Sequence, residues 1–153
     1  MSSQQISSGS WSLEIRIAAT CARVWTALTA ESTQWWPKDF VTSERTQQFV
    51  IEAKVGGRVF EDFGNGEGLL WYSVVGVNHE KELQLAGHLL PPFGGPAITS
   101  LKITLAATAE GTLLTIRDDR FGVLGGEPPV EGWRLVFDAG LRTYLERDQR
   151  SQD

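Results

Sequence analysis

A chain of 153 residues has the length of one domain rather than two, and that size buries roughly 70% of the surface an unfolded chain exposes. Its formal net charge is −5, without a Lys/Arg cluster, which excludes a nucleic-acid binder and disfavours anionic membrane surfaces, because both need basic residues. With one cysteine, Cys21, no intrachain disulfide forms, which suits the cytoplasm.

Residues 1–9 are Ser/Gln-rich and lack both a basic residue and an apolar run. They read as a disordered tail, and as neither a signal nor a transit peptide. From Ser10 to Ile17 the pattern alternates, with Trp11, Leu13, Ile15 and Ile17 on one face, which predicts a half-buried strand. Thr20 is placed to cap a helix carrying Val24, Trp25, Ala27 and Leu28. A second short helix, Glu31 to Trp36, has to stop at Pro37.

From Thr46 to Phe121 the signals are strands and turns. Gly56-Gly57 breaks one run, and Gly64-Asn65-Gly66 predicts a tight hairpin. Strands follow over Leu69–Val77, Leu83–Leu90, Thr99–Ala106 and Thr112–Asp118. Pro91-Pro92-Phe93-Gly94-Gly95-Pro96 cannot pair as a ladder, since its prolines lack N–H donors. It reads either as a cover over a cavity mouth or as a plain hairpin excursion. After Gly125–Pro129 comes a helix predicted from Glu127 to about Gln149. Val130, Trp133, Phe137, Leu141, Tyr144 and Leu145 form its apolar stripe, and Glu131, Arg134, Asp138, Arg142 and Glu146 its ion-paired outer face. No segment approaches the ~20 apolar residues of a membrane span.

Strand, two short helices, a run of strands and a long helix make an α+β fold in one domain over residues 10–150. A six- to seven-stranded antiparallel sheet twists strongly. A long helix laid across its concave face buries both apolar surfaces.

Five stretches resemble one family. Val24-Trp25-Thr26-Ala27-Leu28-Thr29 is similar to its first helix, and Trp35-Trp36-Pro37 to its second-helix aromatic pair. Gly56-Gly57-Arg58-Val59-Phe60-Glu61 resembles its Gly-Gly-x-aromatic-x-Glu strand. Trp71 through Val74 to Leu83 resembles a strand–turn–strand, and Gly132-Trp133-x-x-x-Phe137 to Tyr144-Leu145 the final helix. The family is the START-like, or SRPBCC, superfamily, which includes the major birch-pollen allergen, polyketide cyclases and the C-terminal domain of the activator of the Hsp-type chaperone ATPase. The likeness is greatest to bacterial members named after that activator. His79 stands where the family often has proline, and Tyr72 where it often has glycine. The resemblance implies a helix-grip fold with an internal cavity but no particular reaction.

Candidate site residues follow from placement. Trp35, Trp36, Phe40, Phe63, Trp71, Phe93, Phe121, Trp133 and Phe137 come from elements that would surround a helix-grip cavity, either as a pocket wall or as a filled core. Glu61 is either a pocket carboxylate or an ion-pair partner of Arg58 or Arg117. His88 is an acid/base or polar anchor in the pocket, or else a histidine at the sheet edge or surface. His79 reads as exposed. The run Arg117-Asp118-Asp119-Arg120 reads as a solvated strand end with paired charges. Two His and one Cys do not make a metal site, and no motif for a cofactor is present.

Three functions stay open. One is binding of a small hydrophobic molecule by a monomer or homodimer. Another is a cyclase-, aromatase- or hydrolase-like enzyme using Glu61 or His88. The third is a protein-interaction module like the chaperone-ATPase activator.

Overall fold

A computed structural model of the chain describes residues 5–126 and 128–150. Seven strands form one antiparallel sheet in the order β1-β7-β6-β5-β4-β3-β2. They are β1 (Ile6–Ile17), β2 (Gln48–Ile51), β3 (Arg58–Gly64), β4 (Glu67–Asn78), β5 (Glu82–Leu89), β6 (Ala97–Thr108) and β7 (Gly111–Val123). Every consecutive pair from β2 to β7 is joined as neighbours, and β1 closes against β7.

Two helices follow β1. α1 (Cys21–Ala30) starts where the Thr20 side chain accepts a hydrogen bond from the Arg23 N–H at 3.1 Å. α2 (Ser32–Trp35) stops before Pro37. The C-terminal helix runs as three consecutive segments: α3 (Val130–Arg134), a π-helical stretch (Leu135–Arg142) and α4 (Thr143–Arg150). This α+β arrangement, sheet wrapped on helix, is the helix-grip fold.

Three details differ from the sequence expectations. Ile6 to Gly9, expected in a tail, pair with β7 from Val123 to Arg120. Backbone pairing does not need apolar side chains, so their Ser/Gly composition hid them. Glu127, the expected helix start, lies outside the described residues, as do residues 1–4, and the described helix begins at Val130. The π-helical winding carries no sequence signal that we identify.

Alternation sorts the sheet into two faces. Trp11, Asp118, Leu101, Leu85 and Val74 lie opposite one another across five strands, and all are buried. The expected stripe of β1, Trp11 to Ile17, is buried throughout. Against it the helix packs Val136, Phe137, Leu141 and Leu145, while α1 adds Val24, Trp25, Ala27 and Leu28. Its outer face carries the expected ion pairs: Glu131–Arg134 at 3.5 Å, Asp138–Arg142, and Arg142–Glu146 at 3.2 Å.

Candidate functional site

The core is not filled evenly. Beyond the row containing Trp11 lies a second inward row, Gly9–Arg120–Thr99–Gly87–Tyr72, and beyond it Ala97 faces Gly122. Glycine, alanine and threonine supply little side-chain volume, so the sheet leaves space there. The Tyr72 ring packs against Gly87, where a Cβ would approach it to 2.8 Å. The result is a cavity of about 830 Å³ between β4–β7 and the start of the C-terminal helix. Phe40, Leu69, Trp71, Tyr72, Leu89, Trp133 and Val136 line its apolar wall, with Leu90, Phe93, Gly125 and Pro129 at the mouth. The backbone N–H of Gly125 donates to the Gly94 carbonyl at 3.2 Å, which ties the two mouth loops together.

A β-bulge builds the aromatic wall. Val59 faces Tyr72 and Phe60 faces Leu70, so Trp71 is the extra residue. Trp71 and Tyr72 consequently both reach the interior. Trp133 sits 6.2 Å from the Trp71 ring and 6.4 Å from the Tyr72 ring, centroid to centroid.

Of the other expected residues, Phe40, Phe93, His88 and Phe121 border the cavity with Trp71 and Trp133. His88 and Phe121 occupy outward positions of their strands and are exposed. Trp35, Trp36, Phe63 and Phe137 do not line it. Trp36 stacks on Phe49 with centroids 3.6 Å apart and meets Trp71 and Trp133 edge-on, so it backs the wall. Trp35 and Phe137, with centroids 6.0 Å apart, pack behind it. Phe63 is half-buried under the Arg45 guanidinium.

Glu61 is fully buried but does not line the cavity. Three donors reach its carboxylate: the Thr42 N–H at 2.8 Å, the Thr46 hydroxyl at 2.6 Å and the Trp71 indole at 2.7 Å. Arg58 pairs instead with Glu52, and Arg117 with Asp119. Glu61 thus holds Trp71 in place from behind. His79 is exposed beside Glu80.

The charge run on β7 requires a correction. Arg117 and Asp119 do pair on the surface, at 3.0 Å. Asp118 and Arg120 point the other way, with side chains only 4% and 11% exposed. Both line the cavity together with Tyr72 and Thr99. Period-two alternation within the run was the available signal; reading the charges as one block concealed it.

In this cluster the Thr99 hydroxyl donates to Asp118 Oδ1, and Arg120 Nε lies 3.6 Å from Oδ2. Burial pushes the Asp118 carboxyl above its ordinary value, against the opposing pull of Thr99, Arg120 and Trp11. The Trp11 indole N–H lies toward that carboxylate without the geometry of a full hydrogen bond. Burial also raises the Tyr72 phenol, and the Asp118 charge adds to the effect.

Comparison with solved structures places the fold. A protein from Rhizobium leguminosarum superposes with a TM-score of 0.72 at 17% identity, covering 95% of this chain and 99% of the other. An AHSA1-like protein from Aeromonas hydrophila gives 0.62 at 17% identity, covering 92% and 94%. DynU16, a protein in the dynemicin biosynthetic locus, gives 0.59 at 26% identity; the match covers 90% of this chain but 47% of DynU16. No family model and no curated protein matches the sequence.

Proposed function

We propose that the chain is a START-like protein that binds a small hydrophobic molecule between the sheet and the first turns of its C-terminal helix. The observation that carries this reading is the cavity of about 830 Å³, walled largely by aromatic and aliphatic side chains. Ligand sites are typically apolar hollows of roughly 300–1,000 Å³ with a few placed polar groups. The likeness in fold to an AHSA1-like protein and to a dynemicin-locus protein supports the placement among START-like proteins.

The test has two arms. Native mass spectrometry of protein purified from its host is expected to find a retained small molecule. Calorimetric titration with 2-methylnaphthalene is expected to saturate at one site per chain, and Val136→Phe, which extends a ring into the cavity, is expected to weaken that binding at least tenfold. A chain that retains nothing and does not take up the probe would overturn the reading.

A further inference from the structure

We propose that the cavity selects ligands whose polar head group is uncharged and offers both a hydrogen-bond acceptor, for Arg120, and a donor, for Asp118, in preference to carboxylates or amines. The inference rests on the binding reading above and adds the chemical class of the ligand.

It starts from what Arg120 does not do. A guanidinium carries five N–H donors in a planar fork. Arg117 spends its fork on Asp119, with Nε and Nη2 both 3.0 Å from the carboxylate. Arg58 does the same with Glu52. Arg120 is much more deeply buried, yet its one side-chain ion pair among the described residues is Nε at 3.6 Å from Asp118. Its remaining donors are not sealed in the core but open to the cavity that Arg120 lines, where a ligand acceptor can reach them. Asp118 is similarly incomplete. It accepts from Thr99, while a carboxylate offers about four lone-pair sites.

Charge then decides what fits. Arg120 and Asp118 cancel. Among the described residues that border the cavity, the other titratable ones are Tyr72 and, at outward and exposed positions, Asp119 and His88. An anionic or cationic head group would leave one uncompensated charge against the largely apolar cavity wall, which is unfavourable. An amide-like or hydroxycarbonyl head completes both partners and adds no charge. Trp71 and Trp133 meet edge to face, 6.2 Å between centroids, and form an apolar corner of the wall against which a hydrophobic body can rest.

The test is a calorimetric series on the full chain with four probes that share one ring system: 2-methylnaphthalene, 2-naphthamide, 2-naphthoate and 2-(aminomethyl)naphthalene. The amide is expected to bind at least about tenfold more tightly than each of the others, which corresponds to one hydrogen bond to a charged group. Arg120→Leu is expected to narrow the ratio of naphthamide to methylnaphthalene affinity to below threefold. Should that variant not fold, the side-chain NMR signal of the Arg120 Nε–H in the wild type serves instead. It is expected to shift with naphthamide and not with methylnaphthalene. Naphthoate binding as tightly as the amide, or an amide no better than the methyl compound, would overturn the proposal and leave the cavity reading standing. Failure of all four to bind would overturn both.

Discussion

Two buried carboxylates behave differently because of what reaches them. Glu61 accepts from three donors, two on one oxygen and one on the other. In Glu61→Gln one acceptor becomes an amide NH2 facing a donor, so the substitution is expected to cost about 1–3 kcal/mol, measurable as a lower urea midpoint at an unchanged slope. Asp118 has its carboxyl raised by burial. Its folded form therefore holds a proton at pH values where the unfolded form has lost it. Below the unfolded value near 3.8 both states are protonated. As pH rises through that value toward the raised folded one, stability falls and then levels off. Urea unfolding of wild type and Asp118→Asn across pH 3–8 is expected to show the wild type losing ground to the variant over that window. A difference independent of pH would contradict the raised value.

At the scale of elements, β4 and β5 owe their close approach to Gly87. A Cβ there would meet the Trp71 carbonyl oxygen at 2.4 Å and the Tyr72 ring at 2.8 Å. Gly87→Ala is expected to destabilise by about 1–3 kcal/mol, in the range of overpacked cores, and to disturb the Trp71–Tyr72 bulge. A crystal structure with that bulge unmoved would contradict the assignment. The C-terminal helix divides its labour along its length. Its start, with Trp133 and Val136, faces the cavity. Farther on, Leu141 and Leu145 sit in a solid core at 0% exposure, and the Tyr144 hydroxyl reaches Glu31 at 2.5 Å and Gln34 at 2.8 Å. Leu141→Ala is thus expected to cost about 2–5 kcal/mol. Gly140 lets this helix approach α2, since a Cβ there would meet Pro37 at 3.2 Å and the Trp35 carbonyl oxygen at 3.3 Å.

At the scale of the whole molecule, folding and binding draw on the same interior. A ligand that occupies the cavity of the folded chain alone, at about a hundred times its Kd, stabilises by ~2.7 kcal/mol. For a chain of this size that is a rise in Tm of about 5–11 °C, which differential scanning with and without 2-naphthamide would reveal. No helix among the described residues is long and apolar enough to cross a membrane.

Much of this architecture was legible in one dimension. The β1 alternation, the Thr20 cap, the helix stop before Pro37 and the stripe of the last helix are local patterns that burial enforces with periods of 2 and 3.6 residues. The Asn65-Gly66 turn belongs with them, because both residues adopt positive φ, at 59° and 79°. The cavity and its polar end were not legible. Whether an aromatic residue lines a hollow or fills a core depends on the volumes opposite it, and those come from strands distant in sequence. Gly9, Thr99 and Gly87 are unremarkable singly and make space only when register aligns them. Asp118 and Arg120 look like their neighbours Arg117 and Asp119 until the sheet turns one pair outward and the other in. Local pattern determined most of the strands and helices, with Ile6–Gly9 and the π-helical stretch of the last helix as exceptions. Long-range register decided where the interior stays empty and which charges face it, since both depend on residues that meet only across the sheet.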